Sequence, residues 1–412
     1  MTAPQPRRRT SRLLSGAPAR VLVVDGAAAS RDALSDQVEG EGYLVDRTGQ
    51  GGEALAKLRA EPFDLVLLDV QTPDMDGPQF LAALRADAEL ARLPVIVVAA
   101  ADDLDVVARC LELGADDYLP RSFRPAILRT RLSAALDRRR ARAAESLSRE
   151  MTVARNIQRD FLPESLPAVM GVQLEAVLHP ARQVSGDFYD AFGLGPSGTI
   201  VLVVGDVCDK GVGAALFMAL FRSLIRASAD PVEGGAIQMI GGRRTIVRQS
   251  LEAATPADLL TRVAGFTNDY IARLHGRTNM FATAFLGALA PRTGHFDYVN
   301  AGHEPAIVIA PDGTTRELRP TGPALGLLPD AVFGAGEAGL ERGHCVFAFT
   351  DGLVEARNAA GEAFGPERLR SALRANHGSA SDLARGVLEA LHAFSGQAEP
   401  HDDVTLLAAT RT

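Results

Sequence analysis

Short apolar runs alternate with helical spacing through the first third of the chain. Val21-Leu22-Val23-Val24, the segment Asp64-Leu65-Val66-Leu67-Leu68-Asp69 and the segment Pro94-Val95-Ile96-Val97-Val98 are apolar runs of strand length. They read as strands buried on both faces. Residues 33–38, 53–58, 80–84 and 106–113 carry apolar positions at three- and four-residue spacing between them. This alternation predicts an α/β fold, a doubly wound parallel sheet with helices on both faces. Such sheets place ligands beyond the carboxyl ends of their strands, where Asp25 and Asp69 stand.

Residues 126–161 contain neither Gly nor Pro and are rich in Ala, Arg, Leu and Glu, which predicts a helix. Leu147, Met151, Ala154 and Phe161 fall on a heptad seam that Gln158 interrupts, with Ile157 beside it. The stretch is either a helix packed on a neighbouring domain or a coiled-coil linker that makes a homodimer. From residue 166 onward, turn residues separate apolar strands at 199–204, 282–289, 306–310, 345–349 and 404–409. Helical patterns at 212–227, 256–274 and 380–394 interrupt them, which predicts α+β layering. Gly234, Gly235, Gly241 and Gly242 mark residues 229–250 as a mobile insertion. The expected division is a disordered tail at 1–17, an α/β domain at 18–137, a helical linker at 138–165 and a larger domain at 166–412.

A length of 412 residues suits two or three domains, and 47% hydrophobic residues supply ample core. The net charge of −8 argues against nucleic acid as a partner, and the absence of Trp argues against a base-stacking platform. No apolar run approaches the roughly 18–20 residues of a membrane span, so no membrane contact is expected. Arg7, Arg8, Arg9, Arg12 and Arg20 crowd the first twenty residues without a signal-type apolar stretch. The three scattered cysteines, Cys110, Cys208 and Cys345, fit a reducing compartment, and the expected location is cytoplasmic.

Three segments give Asp25 and Asp69 a context: Val-Leu-Val-Val-Asp at 21–25, Asp-Leu-Val-Leu-Leu-Asp-Val-Gln-Thr-Pro-Asp-Met-Asp-Gly at 64–77, and Gly-Ala-Asp-Asp-Tyr-Leu-Pro at 114–120. In this order they resemble the response-regulator receiver domain. The resemblance implies a five-stranded doubly wound sheet. It makes Asp69 the phosphoacceptor candidate, a histidine kinase the donor, and Asp25 part of an acidic pair that holds Mg²⁺. Three positions depart from the pattern. Gly26 replaces the second acidic residue, Ala99 the hydroxyl residue after the fourth strand, and Arg121 the usual Lys. Phosphoryl transfer needs a cation and fixed donors to neutralise developing charge, and these changes remove part of both. Asp69 is therefore either a weak acceptor or a relic in a docking or dimerisation module. Asp25 and Asp69 could still hold a metal, and Arg121 could pair with an acyl phosphate.

In the second half, acidic residues recur beside strands: Asp187 in Ser-Gly-Asp-Phe-Tyr-Asp, Asp206 in Val-Val-Gly-Asp-Val-Cys-Asp-Lys-Gly, Asp351 in Thr-Asp-Gly-Leu-Val-Glu, and Asp402-Asp403 before Val-Thr-Leu-Leu. Neighbouring carboxylates raise one another's pKa and need compensation, which hard cations supply. Each motif alone has a plainer reading, as a turn, a helix start or a solvated loop. His303 in Asn-Ala-Gly-His is by itself more often structural than catalytic.

The ordered set, with Ala154 to Pro163 as an opening helix, resembles the metal-dependent protein phosphatases of the 2C superfamily, SpoIIE/RsbU type. That resemblance implies a β-sandwich of two antiparallel sheets flanked by helices, with two Mn²⁺ or Mg²⁺ ions at one end. By position it implies that Asp206 bridges both ions and the metal-activated water, and that Val207 offers its carbonyl. Asp187 would serve one ion, and Asp351 and Asp402 the other. The paired ions would lower the pKa of a shared water that attacks phosphoserine or phosphothreonine. Cys208 receives no catalytic role. The family's usual substrate is a phosphorylated anti-sigma-factor antagonist. The expectation is a two-component-type signalling protein; the competing readings are a non-catalytic docking scaffold and a nucleotide cyclase, whose Gly-Gly-Asp-Glu-Phe-type signature is absent.

Overall fold

A computed structural model describes residues 17–194, 198–229, 235–240, 243–248 and 255–412. The chain divides into two compact units, Met1–Arg149 and Glu150–Thr412. The expected tail lies outside the described residues except for Ala17.

The first unit runs β1 (Arg20–Val24), α1 (Ala28–Gly40), β2 (Leu44–Thr48), α2 (Gly51–Ala60), β3 (Leu65–Asp69), α3 (Gly77–Ala86), β4 (Val95–Ala99), α4 (Leu104–Glu112), β5 (Asp117–Pro120) and the start of α5 (Pro125–Phe161). The strands form one parallel sheet in the order β2-β1-β3-β4-β5, the doubly wound fold expected. Strand alternation explains its two cores. Val21 and Val23 pack with Leu34, Leu128 and Leu132 on one face. Leu22 and Val24 pack with Leu55, Phe80 and Leu84 on the other. Strand β2 escaped the apolar-run criterion because it is an edge strand, and its Asp46 is spent on ion pairs with Arg20 and Lys57. Helix α3 starts where Asp76 Oδ1 accepts from the Gln79 N–H and Gln79 Oε1 accepts from the Asp76 N–H, a capping box with Pro78 in the first turn.

The second unit continues with β6 (Val172–His179), β7 (Asp187–Leu194), β8 (Thr199–Val207), α6 (Val212–Ala229), β9 (Gly235–Ile240), β10 (Arg243–Arg248), α7 (Pro256–Leu274), β11 (Ala282–Leu289), β12 (His295–Ala301), β13 (Ala306–Ile309), β14 (Thr315–Leu318), β15 (Gly336–Gly339), β16 (Cys345–Phe349), α8 (Gly352–Glu355), α9 (Gly365–Ala375), α10 (Ala380–Ser395) and β17 (Val404–Arg411). Strands β9 and β10 pair as an antiparallel hairpin inside the stretch expected to be a mobile insertion; residues 230–234, 241–242 and 249–254 lie outside the described residues. Two five-stranded antiparallel sheets, β15-β12-β11-β8-β7 and β14-β13-β16-β17-β6, make a sandwich. Helices α6 and α7 cover the first sheet, and α9 and α10 the second.

Parity along the strands positions the chemistry. Val201 and Val203 of β8 face α6 and α7, whereas Ile200, Leu202 and Val204 fill the space between the sheets with Phe285, Val346, Ala348 and Leu407. Counting on by two, Asp206 belongs to the inter-sheet face, and the same count puts Asp187, Thr283, Thr350 and Thr405 there too. These polar residues sit at one end of the sandwich, where the apolar filling stops.

Helix α6 corrects one expectation. Its 18 residues are long and apolar enough to cross a membrane by length and composition. Met218, Phe221 and Ile225 bury that apolar face against β7, β8 and β11.

Candidate active site

Asp187 opens β7 and stands directly opposite Asp206 of β8 in the strand register. Its carboxylate is buried, and one oxygen, Oδ2, accepts from the hydroxyls of Thr350 and Thr405, both at 2.7 Å. The two threonines are themselves linked. The Thr405 N–H donates to Thr350 Oγ1 at 3.0 Å, and the Thr350 N–H to the Thr405 carbonyl at 3.0 Å. Thr350 and Thr405 thus brace Asp187 from the opposite sheet. Their signal in the sequence was strand parity beside Asp351 and Asp402.

Burial holds the Asp187 carboxyl well above the ordinary carboxylate range, and Asp206 adds to the effect. Burial likewise pushes Asp206 up to about 7, with Asp351 and then Asp402 among the charges that contribute. Asp351 is raised by burial first, then by Glu355 and Asp402. Glu304, half-buried just after His303, is raised by burial and by the same Asp351. The four aspartates named in the sequence therefore share one electrostatic neighbourhood. Glu304 and Glu355 extend it, and nothing in their spacing announced that.

Two loops bring the outlying members in. The Asp351-Gly352 turn lies so close to the β17 approach that a Cβ on Gly352 would come within 2.0 Å of the Asp403 carbonyl oxygen and 3.2 Å of Asp402 Cβ. Only glycine permits that contact. Asp403, sequence neighbour of Asp402, serves a different purpose: it accepts from the Ala181 N–H at 2.7 Å and the Gly186 N–H at 2.9 Å. It pins the loop before Asp187. At Gly186 a Cβ would lie 3.0 Å from the Val207 carbonyl oxygen and 3.6 Å from Asp206 Oδ1, so these two oxygens converge on one spot. One cation is built in: Lys210 Nζ lies 2.8 Å from Asp402 Oδ2 and donates to the His401 carbonyl at 2.9 Å.

Gln158 broke the heptad seam, and the structure gives it a partner. It is buried, its Nε2 donates to the Ser185 carbonyl at 2.6 Å, and its Oε1 accepts from the Ser185 N–H at 2.9 Å. His303 is buried as well, with Nδ1 2.8 Å from Thr283 Oγ1, and Thr283 is the cross-strand neighbour of Asp206. Burial pushes its pKa down to about 4, so the ring is neutral near pH 7. The Cys208 thiol is pushed up by burial and accepts from the Phe281 N–H at 3.2 Å, which disfavours a nucleophilic thiolate. Among the described residues, three donor atoms within 4.8 Å of one another occur elsewhere, at His295, Asp297 and Glu337. The cleft carboxylates are more widely spread than that.

In the first unit, Asp25 and Asp69 are both buried at the carboxyl ends of β1 and β3. Arg121 forms an ion pair with Asp69 and lies 3.8 Å from Asp25 Oδ2. Burial holds the Asp69 carboxyl above its ordinary value, against the opposing pull of Arg121.

Residues 196–412 match the family described as Stage II sporulation protein E (SpoIIE), and residues 21–133 match the response regulator receiver domain. Protein IcfG of Synechocystis sp. (strain ATCC 27184 / PCC 6803 / Kazusa) is 38% identical over 273 residues, which is 64% of this chain and 41% of that protein. The chain thus spans about two fifths of that relative's length. Phosphoserine phosphatase RsbU of Bacillus subtilis (strain 168) is 25% identical over 271 residues, 65% of this chain and 71% of that protein. The solved SiaA-PP2C domain of Pseudomonas aeruginosa superposes with a TM-score of 0.52 at 22% identity, over 66% of this chain and 98% of that one, and shares the fold.

Proposed function

The chain belongs to the SpoIIE family and carries a response regulator receiver domain ahead of it, and from that premise we propose that its C-terminal unit hydrolyses phosphoserine or phosphothreonine on a protein. One observation carries the reading: buried Asp187 and half-buried Asp206 stand opposite each other in the strand register, and Asp351 and Asp402 are among the charges that raise the Asp206 carboxyl. Such a cluster calls for cations.

The donor set fits two Mn²⁺ or Mg²⁺ ions, because it is made entirely of oxygens and contains no His or Cys. Asp187, Asp206 and the Val207 carbonyl would hold one side, and Asp351 and Asp402 the other, with Asp206 between them. Bound there, the ions would supply an activated water and neutralise charge on the phosphoryl oxygens. The chain's own residues do the positioning. Thr350 and Thr405 hold Asp187 Oδ2 through their hydroxyls and so fix the orientation of the carboxylate. Asp403 holds the loop at Gly186, and Lys210 orients Asp402. His303, neutral and buried, fixes Thr283 beside Asp206.

The resemblance to the SpoIIE/RsbU type supports an anti-sigma-factor antagonist as the phosphoprotein. The exposed apolar residues Leu147, Val153, Ile157 and Phe161 on α5 support a homodimer through that helix. The three free cysteines support a cytoplasmic setting. The deciding experiment incubates the full chain with a phosphoserine peptide and Mn²⁺, and measures inorganic phosphate. We expect release that EDTA and Asp206→Asn both abolish. No release from any phosphoserine or phosphothreonine peptide with Mn²⁺ or Mg²⁺ supplied would overturn the reading in favour of a docking scaffold.

A further inference from the structure

Mg²⁺ is bound through one or two carboxylates in a near-ideal octahedron, so a receiver-type site holds it only where those carboxylates are present and not already paired with a protein cation. In this chain every oxygen of the acidic pair already has a protein donor. Asp25 Oδ1 accepts from the Ala27 N–H at 2.8 Å, and Oδ2 from the Ser30 hydroxyl at 2.6 Å. Asp69 Oδ1 accepts from the Gln71 N–H at 3.3 Å, and Oδ2 from Arg121. Arg121 also reaches Ser30 Oγ at 3.3 Å, so one guanidinium touches both halves of the pocket.

The missing second carboxylate cannot be restored in place. A Cβ at Gly26 would stand 2.8 Å from Pro73 Cδ and 3.2 Å from its Cγ. A proline ring on a fixed backbone does not yield as a flexible side chain does. At the end of β4, buried Ala99 offers no hydroxyl, and its carbonyl is taken by the Arg121 N–H at 2.8 Å. The donor set therefore does not fit the divalent ion that the fold family implies. We propose that Arg121 is a built-in counter-ion that occupies the acidic pocket of the receiver domain in place of Mg²⁺, so that Asp69 is held paired and does not accept a phosphoryl group.

The full chain with Mg²⁺ present tests both the occupied pocket and the unphosphorylated Asp69. Transfer from acetyl phosphate would form a phosphorus–oxygen bond to Asp69 and release acetate; borohydride trapping and peptide mass spectrometry read the adduct at its position. With Mg²⁺ present we expect no adduct at Asp69, and a stoichiometric adduct there overturns the proposal. Hydrogen exchange then reads the lock. Peptides covering residues 65–77 should exchange alike with and without Mg²⁺ in the wild type. In Arg121→Gln they should exchange about tenfold faster and slow again when Mg²⁺ is added, because an unpaired buried carboxylate then seeks a cation. Arg121→Lys keeps the charge and should stay within about threefold of wild type, which separates loss of the counter-ion from loss of the fold. Mg²⁺-dependent protection in the wild type, or wild-type exchange in Arg121→Gln, overturns the proposal.

Discussion

Replacing Asp206 by Asn should stabilise the metal-free protein while abolishing the proposed phosphatase activity. A carboxyl that titrates near 7 in the folded chain instead of 3.8 destabilises the folded state once ionised. At about 1.4 kcal/mol per pH unit the full effect is about 4 kcal/mol. The Asp206 charge also raises Asp187, so part of the effect belongs to Asp187, and we expect about 2–4 kcal/mol from Asp206→Asn. The sign follows from the raised folded pKa. The stability is fully present below about pH 4 and lost as the pH rises through about 7. At pH 8 in EDTA, Asp206→Asn should therefore be the more stable protein, and the difference should shrink toward zero near pH 4. The assay is a urea titration at each pH, with a brief hydrogen-exchange pulse reading β8 and β11 peptides, so that the unfolding of this unit is measured by itself. Mn²⁺ should reverse the order, because only the wild type gains binding energy from it. If Asp206→Asn is as stable as wild type or less so at pH 8 without metal, the claim of an uncompensated carboxylate cluster is refuted.

Thr350→Val keeps the shape of the residue and removes a hydroxyl from Asp187 Oδ2. It should weaken Mn²⁺ binding about 10-fold or more, measured by calorimetry, with the fold retained by circular dichroism. Gly352→Ala forces a Cβ into the Asp403 carbonyl, 2.0 Å away, and should destabilise the C-terminal unit by about 3 kcal/mol or more in denaturant titrations. His303 has the opposite sign to Asp206: its folded pKa of about 4 lies below the unfolded 6.5. The corresponding stability is present above pH 6.5 and lost as the pH falls toward 4, to the extent of about 3 kcal/mol. His303→Gln should flatten that part of the pH–stability curve, and an unchanged slope between pH 6.5 and 4 would count against the buried neutral ring.

The layers were legible in the pattern of apolar runs. Val21 to Val24 and Leu65 to Leu68 are strands because an unbroken apolar run has nowhere to go but a doubly covered sheet, and α7 begins and ends at Pro256 and Leu274 as its spacing predicted. Ordered acidic motifs also marked strand ends whose aspartates the fold brings near one another. Short apolar runs missed edge and half-polar strands such as β2, β6 and β15, whose exposure removes the apolar signal, and also the buried interior strand β12, whose run is broken by Asp297 and Asn300. Which side chains face one another emerged from folding. Asp402 and Asp403 are indistinguishable in sequence, yet one joins the cleft and the other ties down the loop at Gly186, because hydrogen-bond direction depends on a chain segment more than two hundred residues away. Thr350 and Thr405 became supports for Asp187 through the closing of one sheet over the other. Gly26 and Arg121 were visible as departures. That Pro73 blocks the one and Asp69 engages the other required the folded pocket, since steric exclusion and ion pairing act through distance in space and not along the chain.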